Sequence, residues 1–547
     1  MKIGLIQTRF CPGDIEGNTN RVVAAIEKNP ADLFLISPSA LTGAFFDDYA
    51  RFAEFAGAMK RALKRVLAAL EGKRAILFLQ EEDQSLPSCL LLEKGKVRTI
   101  PMEVRYDSAE EDQLLLMKGT CTIDSEDYLL FYASARKSVF LPLEPFFSDS
   151  QFCTSDDSDL DDDESDFGFD EARSRLDQCY DTIIFSSLPW KIGIDNSFEQ
   201  ACLDLGNQYG GTVYVVQDLG VSDGYVFPGR SLVAVDGGRR IACRLADFHE
   251  DCRCISLKTL PKGIDEGQPI PPMQSTWRAL VFGTRAFVQD CGSSRALVGV
   301  SGGIDSAMVL AIACEALGPE NVFAVLMPSP FTSQESLEDA RELVARLGVT
   351  AFTLPIDSLM ETVHEVLKPA LDAFPAYPSE VTFENAQARI RGLLLTTLAN
   401  RAQALVLNTS NLSETAMGYS TLYGDTVGAL AVIGDLFKTT IYDLAQWYQK
   451  NAPTGQTLPE RILTKAPSAE LKPGQKDSDT LPPYEVLDLL IEKVLLHQPL
   501  SEEGLSVRKR MMQTEFKRRQ EPLALKVNWV SLSSWRVPVN GRFCPGC

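Results

Sequence analysis

The chain has 547 residues, 45% of them apolar, and carries 53 Lys and Arg against 74 Asp and Glu, a formal net charge of -21. That length exceeds a single hydrophobic core, so two or three domains are expected. The acidic balance disfavours non-specific binding to nucleic acid or to a membrane surface, but leaves room for a nucleotide in a local basic pocket.

The start, Met1-Lys2-Ile3-Gly4-Leu5-Ile6-Gln7, reads as a strand rather than a signal peptide, and no apolar run approaches the ~18 residues of a membrane span. The next expected elements are a helix over Asn18–Ile26, a strand over Ala31–Ile36, a long helical pattern from Phe45 to Leu70 and a strand over Ala75–Leu79. Further on, Thr182–Phe185, Phe198–Tyr209 and Thr212–Gln217 read as strand, helix, strand, and Ser231–Val235 and Ile241–Leu245 as a hairpin around Gly237-Gly238. Between these stretches lies an acidic tract, residues 148–170, whose like charges repel one another. It predicts a disordered surface loop, and it lacks the spacing of a calcium loop. Cys252 and Cys254 are one residue apart and Cys544 and Cys547 form a lone C-x-x-C, with no second pair to complete a zinc site. A reduced, cytoplasmic setting is expected.

After Ile270-Pro271-Pro272 the pattern becomes a regular strand–helix alternation. A helix is expected over Trp277–Gln289, then the apolar strand Ala296–Val300, the turn Ser301-Gly302-Gly303-Ile304-Asp305-Ser306 and a helix over Ala307–Leu317. A glycine turn between a strand and a helix N-terminus presents unpaired N–H groups and no Cβ atoms, which suits an anion. The G-x-x-x-x-G-K-[ST] pattern is absent. Strands follow at Asn321–Leu326, Ala351–Ile356 and Ala404–Leu407, and helices at Ser333–Leu347, Phe383–Arg401 and within Ile433–Tyr448. Repeated βα units predict an open, mostly parallel sheet with ligands at the strand C-termini. Polar segments gather there: Asn408–Glu414, Thr421–Asp425 and Gly434–Thr439, with Glu384, Asn385, Gln387, Arg389 and Arg391 on the helix upstream. Each alone has a plainer reading as a helix cap or a solvated face; together they suggest a nucleotide site.

The N-terminal pieces Gly4-Leu5-Ile6-Gln7, Leu41-Thr42-Gly43 and Asp223–Ser231 resemble a nitrilase-like amidase domain, as found in glutamine-dependent synthetases. The resemblance implies an α/β sandwich over about residues 1–260 and a Glu–Lys–Cys set for amide hydrolysis. Those residues are not where the resemblance requires them. Ser37-Pro38-Ser39 meets the Glu segment, Thr99 to Tyr106 holds no lysine, and Leu130-Phe131-Tyr132-Ala133-Ser134 has neither cysteine nor acid. We expect an inactive amidase relative; the alternative is a displaced nucleophile, Cys153 or Cys179.

Residues 261–547 resemble the synthetase domain of the NAD+ synthetases, which is related to the adenine nucleotide alpha hydrolases. Besides the glycine loop, the matching segments are Met327-Pro328-Ser329, Glu384-Asn385-x-Gln387-x-Arg389-x-Arg391 and Gly418–Asp425. Lys438-Thr439, Pro467–Leu471 with Gly474-Gln475-x-Asp477, and Leu481-Pro482-x-Tyr484 complete the set. A departure is Leu412, where many members carry Lys. The resemblance implies ATP-dependent adenylation of nicotinic acid adenine dinucleotide, then amidation by ammonia to NAD+, with AMP and pyrophosphate released. It implies Asp305 and Glu414 as Mg2+ carboxylates and Lys438 as the group that neutralises phosphate charge. Ser301, Gly302, Gly303, Ser306, Met327, Arg391 and Thr409 are implied around ATP, and Glu384, Asn385, Arg389, Tyr423, Asp425, Asp435, Arg518 and Arg519 around the dinucleotide. A homo-oligomer is also implied. Another ATP pyrophosphatase of the same fold and a non-catalytic nucleotide-binding scaffold are the competing readings, and intact Asp305, Glu414 and Lys438 argue against the second.

Overall fold

The computed structural model describes residues 1–44, 52–80, 87–106, 114–135, 180–259, 270–375 and 381–539, except single positions 94, 125, 193, 194 and 536. The acidic tract, Cys153, Cys179, Cys544 and Cys547 lie outside the described residues. The chain forms two compact units, Met1–Ile270 and Pro271–Cys547.

In the first unit two sheets pack face to face. One has six strands and runs through Ile3–Gln7, Leu33–Ile36, Arg74–Gln80, Pro87–Glu93 and Lys96–Ile100, with Asp251–Ile255 at its edge. The other has seven strands, with Glu126–Ala135, Tyr180–Ser187 and Gly210–Gln217 parallel at its centre. Strand alternation sorts the side chains by layer. Leu33 and Leu35 join the core between the sheets, whereas Phe34 and Ile36 face the helices Ile15–Lys28 and Ala53–Leu70. In the second sheet Leu130 and Tyr132 face inward, while Leu129 and Phe131 pack with Phe198, Cys202 and Leu205 of the helix Asp195–Tyr209. The result is four layers, helix–sheet–sheet–helix. The expected hairpin forms, Leu232–Val235 against Arg240–Arg244, and Asp236, Gly237 and Gly238 take positive φ at its turn. The strands between residues 87 and 135 were not anticipated from the sequence.

The second unit is built on a six-stranded sheet, all neighbours parallel. Spatially its strands run Thr350–Thr353, Val322–Leu326, Ala296–Gly299, Leu405–Asn408, Leu430–Ala431, Leu523–Ala524. In chain order that is third, second, first, fourth, fifth, sixth. The reversal between Ala296–Gly299 and Leu405–Asn408 makes a topological switch point, where open α/β sheets leave a crevice beyond the strand C-termini. The helix Ile304–Leu317 follows the first strand and is apolar all round, with Met308, Val309, Leu310 and Ile312 fully buried. Each such side chain contributes roughly 1.5–3 kcal/mol of burial. That holds the helix N-terminus, and the glycine turn before it, at a fixed place on the crevice.

Candidate functional site

The crevice is a cavity of about 610 Å³, walled by the loops after the first and fourth strands and by residues 465–480. Gly302 sits at φ +82, and a Cβ there would lie 2.1 Å from the Ser336 carbonyl oxygen. Only glycine lets the turn lie this close to the next helix. Ser301 and Ser306 knit the turn: Ser301 N–H donates to Ser306 Oγ at 3.2 Å, and Ser306 Oγ donates to the Gly303 carbonyl at 3.1 Å. No side chain caps the N-terminus of the helix Ile304–Leu317. Gly303, Ile304 and Asp305, at its start, line the cavity, a disposition suited to phosphate.

Opposite the turn, Lys438 starts the helix Lys438–Asn451 with its ammonium almost wholly buried. Nζ donates to Asp305 Oδ2 at 2.5 Å and to Glu414 Oε1 at 2.9 Å. Burial works against the charged lysine, but the two carboxylates outweigh it and hold the ammonium well above its usual range. Burial pushes Glu414 up, opposed by Lys438 and reinforced by Asp305 and Asp477. Asp305 also accepts from Asn411 Nδ2 at 3.1 Å, and Asn411 Oδ1 caps Glu414 N–H at 3.0 Å. The Tyr484 hydroxyl lies 2.9 Å from Asp477 Oδ2 and 3.3 Å from Glu414 Oε1. Two carboxylates thus share one ammonium while a third, Asp477, joins them through the Tyr484 hydroxyl, and Asp477 Oδ1 is buried without a partner. The cluster is short of positive charge.

Other expected residues line the same cavity: Ser301, Gly302, Gly303, Met327, Glu384, Asn385, Arg391, Thr409 and Asp425. Arg391 donates to the Met327 carbonyl at 3.0 Å, and burial lowers its pKa. Asp425 accepts from Thr421 N–H, and Thr421 Oγ1 donates to Asn385 Oδ1. Ser306 stands behind the turn rather than on the wall. Five further expected residues are held elsewhere. Asp435 is buried and accepts from Asn528 N–H and Ser531 Oγ. Arg389 donates to the Leu422 carbonyl. Tyr423 is 65% exposed and donates to Gln520 Oε1. Arg518 turns inward to Glu515 and the Ala416 carbonyl, and Arg519 pairs with Glu515.

The basic groups of the tail that do line the cavity are Arg510 and Lys517. Arg510 donates to the Met417 carbonyl, and Lys517 to the carbonyls of Gly418 and Ser420. Lys465, Glu470 and Asp477 also belong to the wall. Glu470, at φ +47, accepts from Ser333 Oγ at 2.8 Å, Ser336 Oγ at 2.7 Å and Lys465 Nζ at 3.2 Å. Glu470 and Asp477 stand within segments the sequence had flagged, without individual roles; Arg510 and Lys517 stand in the basic clusters Arg508-Lys509-Arg510 and Lys517-Arg518-Arg519, of which the sequence reading chose Arg518 and Arg519, and Lys465 carried no signal.

In the first unit, within the segment Leu130–Ser134 near which an amidase thiol is expected, the Tyr132 ring stacks on Phe78 at 4.6 Å, with Phe185 edge-on to Phe78 at 5.0 Å. Where a general base is expected, Ser39 N–H donates to Asp218 Oδ1 at 2.7 Å, and Ser187 Oγ donates to Asp218 Oδ2. Burial raises Asp218 to about 6, against the hydrogen bonds from Ser187 and Ser39. Thr99 lies exposed on the strand Lys96–Ile100.

Residues 276–522 match the family described as NAD synthase. Over 99% of both chains the protein is 33% identical to the glutamine-dependent NAD(+) synthetase of Synechocystis. It is 43% identical to the Thermotoga maritima enzyme of that name over 50% of this chain and 49% of the other. Among solved structures, the glutamine-dependent NAD+ synthetase of Acinetobacter baumannii in complex with ADP covers 99% of both chains, with 26% identity and a TM-score of 0.70. Likeness along the whole length, with the synthetase segments at one switch-point crevice, makes this chain a carbon–nitrogen ligase with a nitrilase-like amidase domain ahead of an ATP pyrophosphatase domain, and it belongs to the glutamine-dependent NAD+ synthetase family.

Proposed function

We propose that the crevice activates the pyridine carboxylate of nicotinic acid adenine dinucleotide with ATP and passes the adenylate to ammonia, giving NAD+, AMP and pyrophosphate. The observation that carries this is the cluster on the cavity wall in which Lys438 Nζ bridges Glu414 and Asp305, the latter belonging to the glycine turn itself. A carboxylate does not react with ammonia, because oxide is a poor leaving group; adenylation replaces it with AMP. The turn and the helix N-terminus would receive the departing pyrophosphate, with Lys438, Arg391 and Lys465 meeting its charge. The ADP bound in the Acinetobacter baumannii structure supports a nucleotide in this crevice.

Mg2+ fits the donor set. It asks for one or two carboxylates plus substrate phosphates rather than a complete protein cage. Among the described residues no group of three or more His, Cys, Asp or Glu could hold a metal alone. Asp305 and Glu414 would hold the ion, which supplies neutralisation of the triphosphate. Pyrophosphate release from ATP, dependent on the dinucleotide and on ammonium, tests this reading; release with neither present would sink it.

The name shared by the relatives favours glutamine as the nitrogen source over free ammonia. That reading needs a nucleophile at Cys153 or Cys179, both outside the described residues. The packing of Tyr132 against Phe78, and the Ser39–Asp218–Ser187 cluster, favour a second reading in which ammonia comes from solution or from another protein. NAD+ output with glutamine against ammonium, with glutamate measured in parallel, separates the two.

A homo-oligomer is supported by apolar side chains left exposed on neighbouring elements: Val366 at 72%, Phe374 at 70% and Leu393 at 64%. They lie on or next to the helices Asp357–Leu371 and Thr382–Ala402. A second copy of the chain is the occupant this face suits.

A further inference from the structure

Lys438 has an awkward address. It is the first residue of its helix, where four backbone N–H groups lack partners and the helix dipole opposes a positive side chain. Phe437, at the N-cap, supplies no capping side chain. The cap comes from another helix, Tyr484–Leu495. Asp488 Oδ2 accepts from Thr439 N–H at 3.0 Å and from Thr439 Oγ1 at 2.9 Å. Its other oxygen accepts from Ser413 Oγ at 2.5 Å, and Ser413 Oγ in turn accepts from Lys438 N–H at 2.9 Å. One buried carboxylate therefore satisfies the first two N–H groups of the helix, one directly and one through Ser413. Ser413 directly precedes Glu414, so the same carboxylate fixes the backbone on both sides of the Lys438–Glu414 pair. Tyr484, one turn earlier on the same helix, reaches Glu414 and Asp477.

We propose that Asp488 is a positioning residue for adenylation, holding Lys438 and Glu414 in register across the crevice through Ser413 and Thr439. Asp488 is not among the cavity-lining residues and touches neither ATP nor the dinucleotide in this reading. Its effect passes through Lys438, and so rests on the role given to that residue above.

The experiment uses the full-length enzyme and measures pyrophosphate release with ATP, the dinucleotide and ammonium, for Asp488→Asn, Lys438→Met and the double variant. Asp488→Asn is expected to lower kcat at least tenfold with the KM for ATP within twofold, because the nucleotide-facing wall is untouched. In the Lys438→Met background, Asp488→Asn is expected to cost nothing more; a residue that merely stabilised the fold would multiply its effect in both backgrounds. A kcat within twofold of wild type for Asp488→Asn, or multiplying losses, overturns the proposal. If Asp488→Asn does not fold, the Ser413→Ala/Thr439→Val pair removes the links through the Ser413 and Thr439 hydroxyls and leaves Asp488 only the Thr439 N–H, so a kcat within twofold of wild type there overturns the relay through Ser413. Wild-type turnover in Lys438→Met itself overturns the role of Lys438, a result distinguishable from failure at Asp488 alone.

Discussion

Gly302 and Gly303 are adjacent, yet the structure predicts opposite responses to the same methyl group. At Gly302 the new Cβ would sit 2.1 Å from the Ser336 carbonyl oxygen and 2.9 Å from its carbon, both backbone atoms, at φ +82. Ser336 cannot retreat easily, because it lies in the first turn of a helix tied down by Ser333 and Glu470. Left-handed backbone costs an L-residue roughly 1–2 kcal/mol and overpacking typically ~1–3 kcal/mol. Gly302→Ala should therefore destabilise the second unit by about 3 kcal/mol, roughly 6–12 °C in melting temperature for a unit of this size. The relief movement of about 1 Å would also misplace the turn, a shift that can cost on the order of 100-fold in rate. At Gly303 the nearest atom to a new Cβ is Ser301 Oγ at 3.4 Å, so the fold tolerates it. Gly303→Ala should keep the melting temperature within about 2 °C, a shift worth at most about 1 kcal/mol. It should still weaken ATP, because the methyl stands on the cavity wall. Calorimetry on both variants, with pyrophosphate release measured in parallel, is the assay. Unchanged stability and turnover in Gly302→Ala would refute the steric argument; unchanged KM for ATP in Gly303→Ala would refute the placing of phosphate at the turn.

Other expectations are open to equally direct tests. Asp218 is raised to about 6 in the folded chain, so the folded state holds its proton more tightly than the unfolded one. Stability from that group is complete below about pH 4 and lost as pH rises through about 6, worth about 3 kcal/mol; in urea titrations across that window Asp218→Asn should show a shallower loss than wild type. Val366→Asp with Leu393→Asp should shift sedimentation toward the single chain, and an unchanged coefficient would count against a second copy on that face. Lys517→Ala should raise the KM for the dinucleotide several-fold by releasing the Gly418 and Ser420 carbonyls, whereas Arg519→Ala, on an exposed side chain, should change it little.

The parallel sheet and the glycine turn were legible because each has a local signature: apolar runs of strand length, a helix without a polar face, paired glycines between them; the strand order, and with it the switch point, was not. Direction was not legible. Lys517 and Arg518 are neighbours of the same charge, yet a one-residue step along the helix sends Lys517 to the cavity wall and Arg518 into Glu515. Asp435 sits three residues before Lys438 in a polar segment, and only the fold shows that it serves Asn528 and Ser531. Asp488 was invisible for the same reason, since it caps a helix 49 residues away in sequence.

The contacts of Arg510, Lys517 and Arg518 with the carbonyls of residues 416–420 bear on how the protein is made. One wall of the crevice is held by the last stretch of the chain, and the strand Leu523–Ala524 closes the sheet edge beside it. During vectorial synthesis the glycine turn emerges some 200 residues before its brace, which at typical elongation rates is a delay of about 10–40 s. A nascent chain halted near residue 505 would carry every motif from Ser301 to Tyr484 and still lack a rigid site.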